Sequence, residues 1–234
     1  MVKTAIILAG GLGTRLRDAV PGLPKAMVPI NNRPFLEYQL DYWINQGVKN
    51  FILSVGYLKD FIMNHFGSSY NGASIKYIVE HYPLGTGGGM IFAAQGLTET
   101  FLVLNGDTFI EVDLNKLYNF HLKSKSHWTL SLFRTGDFER YLTMEIGSKG
   151  KIISLSVKSK ELTGLANGGV YLIDPLTLDL LGIISGDNAS LEEQLLPNLM
   201  TNGGELFGQE CEGRFIDIGL PHDYFRASEI LPTA

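Results

Sequence analysis

The sequence predicts an α/β fold in which a mostly parallel central sheet is flanked by helices and carries a small antiparallel β addition in its second half. Three observations predict it. Short apolar runs alternate with amphipathic stretches through the first half, as they do where a sheet is covered on both faces. Between about residues 128 and 157 apolar runs follow one another across turns alone, which suits antiparallel pairing. The 234 residues are 45% hydrophobic and 18% charged, enough apolar mass for one large packed unit.

The elements follow in order. Thr4 to Leu8 is a short apolar run leading straight into Ala9-Gly10-Gly11-Leu12-Gly13, a buried strand followed by a tight loop. A loop marked by Pro21, Pro24 and Pro29 comes next. Pro34 suits a helix N1 position. Leu36, Leu40, Trp43 and Ile44 then make one apolar face, and Gly47 is placed to stop it. Residues 51–55 predict a second strand, 61–66 a short helix and 75–79 a third strand. After the glycine run at 85–89 a helix is expected to about Ala94. Residues 101–104 form a fourth strand ending in Asn105-Gly106-Asp107, and Asp113 reads as the N-cap of a helix from Leu114. Residues 128–133, 142–146 and 152–157 read as strands, the last two joined at Ser148-Lys149-Gly150; 168–173 is a further strand. Residues 176–181 and 191–200 read as helices, 215–218 as the last strand, and a final helix starts near Pro221. No repeat, low-complexity tract or linker divides residues 1–234, so a single domain is expected.

Composition narrows the function. Glycine is abundant, at 27 residues against a usual share of ~7%, and suggests loops that approach a ligand closely. The net charge of −5 argues against nucleic acid or a membrane surface as partner. Cys211 is the sole cysteine, which excludes an internal disulfide and a cysteine-built zinc knot. No apolar run reaches the ~18 residues of a membrane span, and the N-terminus lacks a signal-peptide layout. A cytoplasmic protein is expected; a homo-oligomer stays open.

The first glycine loop sits where backbone N–H groups can cradle phosphate. It is not a Walker loop, since G-x-x-x-x-G-K-[ST] occurs nowhere. A dinucleotide fingerprint fails too: Leu16 stands at the third glycine position, and Asn31-Asn32-Arg33 occupies the stretch where an acidic residue is needed. A ligand-free tight turn competes. Arg15 and, ten residues on, Lys25 tip the reading toward a triphosphate, because a planar fork and a point charge flank one anion-binding loop.

Two segments in tandem, Leu8-Ala9-Gly10-Gly11-Leu12-Gly13-Thr14-Arg15-Leu16 and Pro24-Lys25-Ala26-Met27-Val28-Pro29-Ile30, resemble the signature of the sugar-1-phosphate nucleotidyltransferases. Pro34-Phe35-Leu36-Glu37-Tyr38, Pro83-Leu84-Gly85-Thr86-Gly87-Gly88, Leu104-Asn105-Gly106-Asp107, Asn167-Gly168-Gly169-Val170-Tyr171 and Phe215-Ile216-Asp217-Ile218-Gly219-Leu220-Pro221 extend the resemblance over nearly the whole chain. Within the family the chain looks most like the D-glycero-D-manno-heptose-1-phosphate guanylyltransferases, with the short uridylyltransferases acting on N-acetylmuramic acid 1-phosphate as the rival group. The resemblance implies a Rossmann-like sheet with a nucleotide-binding part (1–125) and a sugar-binding part (126–234). It implies the transfer of a nucleotidyl group from a nucleoside triphosphate, GTP by that likeness, to a sugar 1-phosphate. A non-catalytic nucleotide-sugar sensor is the competing class, which the retention of Arg15, Lys25 and both aspartates disfavours.

Residue by residue, the resemblance implies catalytic roles for Arg15, Lys25 and Asp107. Leu8, Gly10, Gly11, Gly13, Thr14, Gly85 and Thr86 would bind the nucleotide. Asn167, Gly168, Lys158 and Tyr141 would meet the sugar phosphate, and Asp107 and Asp217 would bind Mg²⁺. Spacing alone leaves Asp107 equally a turn residue and Asp217 equally a hydrogen-bonded strand residue. A magnesium site of one or two carboxylates completed by phosphates suits both. Glu111, Asp113 and Asp223 are nearby carboxylates without a role in this reading, and the five histidines show no ligand spacing. Two departures fall on the sugar side: Leu142 stands where the family has glycine, and Val157 where it has glutamate.

Overall fold

The computed structural model describes residues 1–11, 13, 16, 20–156 and 163–232. The chain forms β1 (Thr4–Leu8), a ribbon of β2 (Pro29–Ile30) and β3 (Arg33–Pro34), α1 (Phe35–Asn45), β4 (Asn50–Val55) and α2 (Lys59–Phe66). Next come β5 (Ser69–Tyr70), β6 (Ala73–Val79), α3 (Gly85–Ala93), β7 (Phe101–Asn105), β8 (Thr108–Ile110) and α4 (Leu114–Ser124). The second half adds β9 (Trp128–Thr135), β10 (Thr143–Ile146), β11 (Ile152–Ser156) and the long β12 (Gly164–Ile173). A 3₁₀ stretch (Pro175–Leu181), a π turn (Leu191–Leu195) and α5 (Leu196–Thr201) lead to β13 (Leu206–Glu210), β14 (Phe215–Asp217) and α6 (Pro221–Ile230).

The main sheet has ten strands in the order β11-β10-β12-β7-β1-β4-β6-β5, with β9 on β12 and β13 on β9. β1 runs parallel to β4 and β7, and β4 parallel to β6. β12 lies antiparallel to β7 and carries the sheet into the second half. Side-chain alternation explains why the central strands are apolar throughout. Ile7, Leu102 and Leu104 enter one core with Leu36, Leu40 and Trp43 of α1. Ile6, Phe101 and Val103 enter a second core on the other face, with Met90 of α3 and Tyr171 of β12. A third cluster joins Phe35 and Tyr38 to Phe109, Ile216 and Ala227, locking α1 to β8, β14 and α6. Among the described residues no helix is long and apolar enough to cross a membrane.

Several elements differ from the sequence expectation. Pro34 is the N-cap of α1 rather than its first helical residue. The glycine run does not precede a helix but forms the first turns of α3. The helix expected over 191–200 begins as a π turn: Pro197 lacks the N–H that regular pairing needs, and Gln194 and Leu195 both donate to the Ser190 carbonyl. Residues 176–181 are 3₁₀ rather than α, the strand expected at 168–173 starts at Gly164, and β13 had no sequence signal, with Gly208 at its centre. Asp217 lies not on the main sheet but on a ribbon of its own with β8.

Candidate active site

Because β1 and β7 run side by side with Leu8 opposite Asn105, their loops leave the sheet together. Leu8 to Gly11, Lys25, Ala26, Glu80, Pro83, Gly85, Thr86 and Asn105 to Asp107 line a cleft of about 280 Å³. The loops are pinned by backbone bonds: Ala9 N donates to Ser54 O at 2.8 Å and Gly106 N to Leu8 O at 3.1 Å. Gln39 of α1, 2% exposed, donates to both Asn105 O (2.8 Å) and Thr108 O (2.6 Å). It thereby holds the turn that carries Asp107.

The two candidate metal aspartates meet through the β8–β14 ribbon, which sets Thr108 opposite Asp217 and lets Ile218 N donate to Asp107 O at 2.9 Å. Between them lies a cation. The Lys25 ammonium donates to Asp107 and stands 4.0 Å from Asp217 Oδ1. Asp217 also accepts Arg140 Nη2 at 2.9 Å and Gly219 N at 2.7 Å. Arg140 in turn pairs with the buried Asp223, and Arg226 reaches Asp223 at 3.3 Å. Burial pulls the Arg140 guanidinium down, but the bonds from Asp217 and Asp223 outweigh it and its pKa is raised. The result is a line of alternating charge, Asp107, Lys25, Asp217, Arg140, Asp223. A position that attracts an ammonium between two carboxylates is also one that suits a hard divalent cation.

The glycines of α3 answer to the chain itself. Gly85 takes φ +71, and a Cβ there would meet Ala189 O at 2.5 Å. At Gly88 a Cβ would run into Asp187 O. Gly87 N and Gly88 N both donate to Ala189 O, at 2.8 and 3.1 Å. The glycine-rich first turns therefore admit segment 187–191 against the helix, while Gly85 and Thr86 stay on the cleft side. Across the cleft floor, the Glu80 carboxylate accepts from Ser54 Oγ at 2.8 Å and Leu84 N at 3.2 Å.

On the sugar side, Tyr141 is half-buried, its ring edge-on to Phe133 and Phe215; burial pushes its phenol pKa up. Asn167 donates to the Tyr171 hydroxyl and accepts from Gly169 N at 3.1 Å. Gly168 is buried against Ser131 and Ile110. Leu142 packs on the second core, and its carbonyl accepts Asn167 N at 3.2 Å.

Of the expected site residues, Leu8, Gly10, Gly11, Lys25, Gly85, Thr86 and Asp107 line the cleft. Gly13 packs beside Lys25, and Asp217 joins through the ion pair. Thr14, Arg15 and Lys158, with Leu12 and Val157, lie outside the described residues. Sequence reasoning gave no role to Gln39, Glu80, Arg140 or Glu192, and it set Asp223 aside. Glu111 pairs with Arg214 and Asp113 caps α4 through Lys116 N at 3.0 Å, both away from the cleft.

Comparison with known proteins places the whole chain among relatives. The chain is 40% identical over 228 residues to a D-glycero-alpha-D-manno-heptose 1-phosphate guanylyltransferase of Aneurinibacillus thermoaerophilus, covering 97% of each chain. The crystal structure of HddC from Yersinia pseudotuberculosis superposes with a TM-score of 0.84 at 33% identity, covering 97% of this chain and 99% of that one. The same protein complexed with GMP-PN gives 0.82, at the same identity and coverage. The family model described as nucleotidyl transferase matches residues 4–233, and the chain belongs to the nucleotidyl transferase family.

Proposed function

We propose that this protein transfers GMP from GTP to D-glycero-α-D-manno-heptose 1-phosphate, releasing pyrophosphate. The observation that carries the reaction type is the Lys25 ammonium held between Asp107 and Asp217 at the cleft. No protein nucleophile is needed: an anionic oxygen of the sugar phosphate attacks the α-phosphorus, and the bond from that phosphorus to the bridging oxygen of pyrophosphate breaks. The protein must hold two polyanions in line and neutralise the charge that builds up.

Leu8, Gly10, Gly11, Gly13, Thr14, Gly85 and Thr86 bind the nucleotide in this reading, within the part spanning residues 1–125. Lys25 exchanges its carboxylate partners for the attacking phosphate and the α-phosphate. Arg15, by its place in the motif, takes the leaving pyrophosphate. Asp107 and Asp217 would hold Mg²⁺, which when bound supplies charge neutralisation at the α-phosphate. In the part spanning 126–234, Asn167, Gly168, Tyr141 and Lys158 bind the sugar phosphate in this reading. Glu80 supports guanine as the base. A carboxylate accepts hydrogen bonds only, and guanine offers adjacent N1–H and N2–H donors, whereas the uracil edge offers one donor flanked by acceptors. A cytoplasmic reaction is part of the same reading.

Pyrophosphate release tests this, with GTP, UTP, CTP and dTTP each paired with heptose, mannose, glucosamine and N-acetylmuramic acid 1-phosphates. GTP with the heptose 1-phosphate should give the highest kcat/KM. A UTP pair that is faster by more than about tenfold, roughly 1.4 kcal/mol, contradicts the assignment.

A further inference from the structure

We infer that the Tyr171 hydroxyl is the joint coupling the nucleotide side of the cleft to its sugar-phosphate side, with Glu192 as the positioning carboxylate. The inference rests on the reading that both substrates meet in this cleft.

Tyr171 is fully buried in β12, between Val103 of β7 and Leu130 of β9. A phenol has one proton and two lone pairs to place. Here the proton goes to Glu192 Oε1 at 3.0 Å. The Asn167 amide donates to the oxygen. The other Glu192 oxygen accepts Thr86 Oγ1 at 3.2 Å, and Thr86 Oγ1 accepts Leu191 N at 2.9 Å. One hydroxyl thus links, through Glu192, Thr86 of the cleft lining to Asn167 on the sugar side.

The donor directions are fixed. Glu192 as a carboxylate only accepts, so the phenol donates and the Asn167 amide turns its NH₂ group toward it. Burial, and then the neighbouring Glu192, holds the phenol protonated well above its ordinary pKa. Two tyrosines of α1 do something simpler. Tyr38 donates to Ile30 O and Tyr42 to Val112 O, neither of which lines the cleft. Glu192 is presented by the π turn, a local distortion that proteins often keep at functional sites.

In-line transfer depends on the relative placement of the two substrates, and a network of polar bonds responds as a unit. Ordering Thr86 around nucleotide therefore orders Asn167 for sugar phosphate, and the coupling is reciprocal. The test is the Kd of a non-transferable nucleotide analogue with and without saturating sugar 1-phosphate, alongside kcat, both KM values and the melting temperature. The substrate pair is whichever the wild type turns over fastest. A wrong base or sugar then shows in the wild-type screen and leaves this test valid.

In the wild type the analogue should bind at least about fivefold tighter with sugar phosphate present. Tyr171→Phe removes one oxygen and should bring that ratio to about one, lower kcat by about tenfold or more, and leave the Kd of the analogue alone within about threefold. Glu192→Gln should move the same quantities in the same direction, because an amide NH₂ faces either the phenol or Thr86, and it carries the test should Tyr171→Phe fail to fold. A wild type without coupling overturns the proposal. So do variants that melt earlier while keeping the wild-type ratio and kcat, which would make the network structural only.

Discussion

On the nucleotide side of the cleft, parallel strands β1 and β7 end together and backbone bonds fix their loops, so that main chain makes most of the surface. The sugar side is assembled from side chains that find one another across the chain: Arg140 with Asp217 and Asp223, 77 and 83 residues away, and Tyr171 with Asn167 and Glu192. A backbone-built site needs particular residues, glycines above all, in a fixed local order. A side-chain-built site needs only complementary groups that the fold happens to bring together. The first therefore leaves a local motif, and the second leaves scattered polar residues of no obvious purpose.

The largest expected effect falls where the two sides join. Asp107→Asn or Asp217→Asn should lower the rate of pyrophosphate release by about a thousandfold or more while circular dichroism shows an intact fold. EDTA should abolish the wild-type rate and Mg²⁺ restore it. A fully active Asp217→Asn protein would remove that residue from the site.

The next test can break the comparison itself. Gly88→Ala puts a methyl against Asp187 O, which should cost about 2–4 kcal/mol in urea denaturation through separation of segment 187–191 from α3. An effect on nucleotide KM with no loss of stability would mean that the glycine serves the ligand instead of the fold.

These two cases show what was legible. The order of strands and helices in the first half and the glycine loop could be read because each sits in a short run whose chemistry is local, whereas spacing left Asp107 and Asp217 open and only the family resemblance gave them roles. The glycine run at 85–89 was visible, but its partner was not, since Asp187 and Ala189 lie about a hundred residues on. Asp223 read as a spare carboxylate because Arg140, the partner that ties it to the site, lies 83 residues away. Gln39 looked like any polar residue of a helix, and only the fold turns its amide toward the Asp107 turn.

Smaller effects sharpen the sugar side. Asp223→Asn loosens Arg140 and should lower kcat/KM for the sugar phosphate by about tenfold, roughly 1.4 kcal/mol, with nucleotide KM unchanged. Equal loss for both substrates would show that Arg140 serves the whole cleft rather than one side.

A control lies outside both sides. His121, buried on α4 with Nδ1 2.9 Å from Thr129 Oγ1, has its pKa lowered to about 4, chiefly by burial. The unfolded chain binds this proton more readily than the fold. Its contribution is thus complete above the unfolded pKa of about 6.5 and is lost as pH falls toward 4. Thermal melts should lose up to about 1.4 kcal/mol per pH unit across that window. His121→Gln should flatten the slope without changing turnover at neutral pH, whereas an unchanged slope would place the titrating group elsewhere.

The account turns on Lys25 leaving its aspartates for the phosphates. Its most direct test is the rate at which GDP-heptose forms from GTP and D-glycero-α-D-manno-heptose 1-phosphate, compared between wild type and Lys25→Ala. The account predicts one pyrophosphate per sugar nucleotide in the wild type and a rate lower by about a hundredfold or more in the variant. Equal rates in the two proteins, or no GDP-heptose from the wild type, would contradict it.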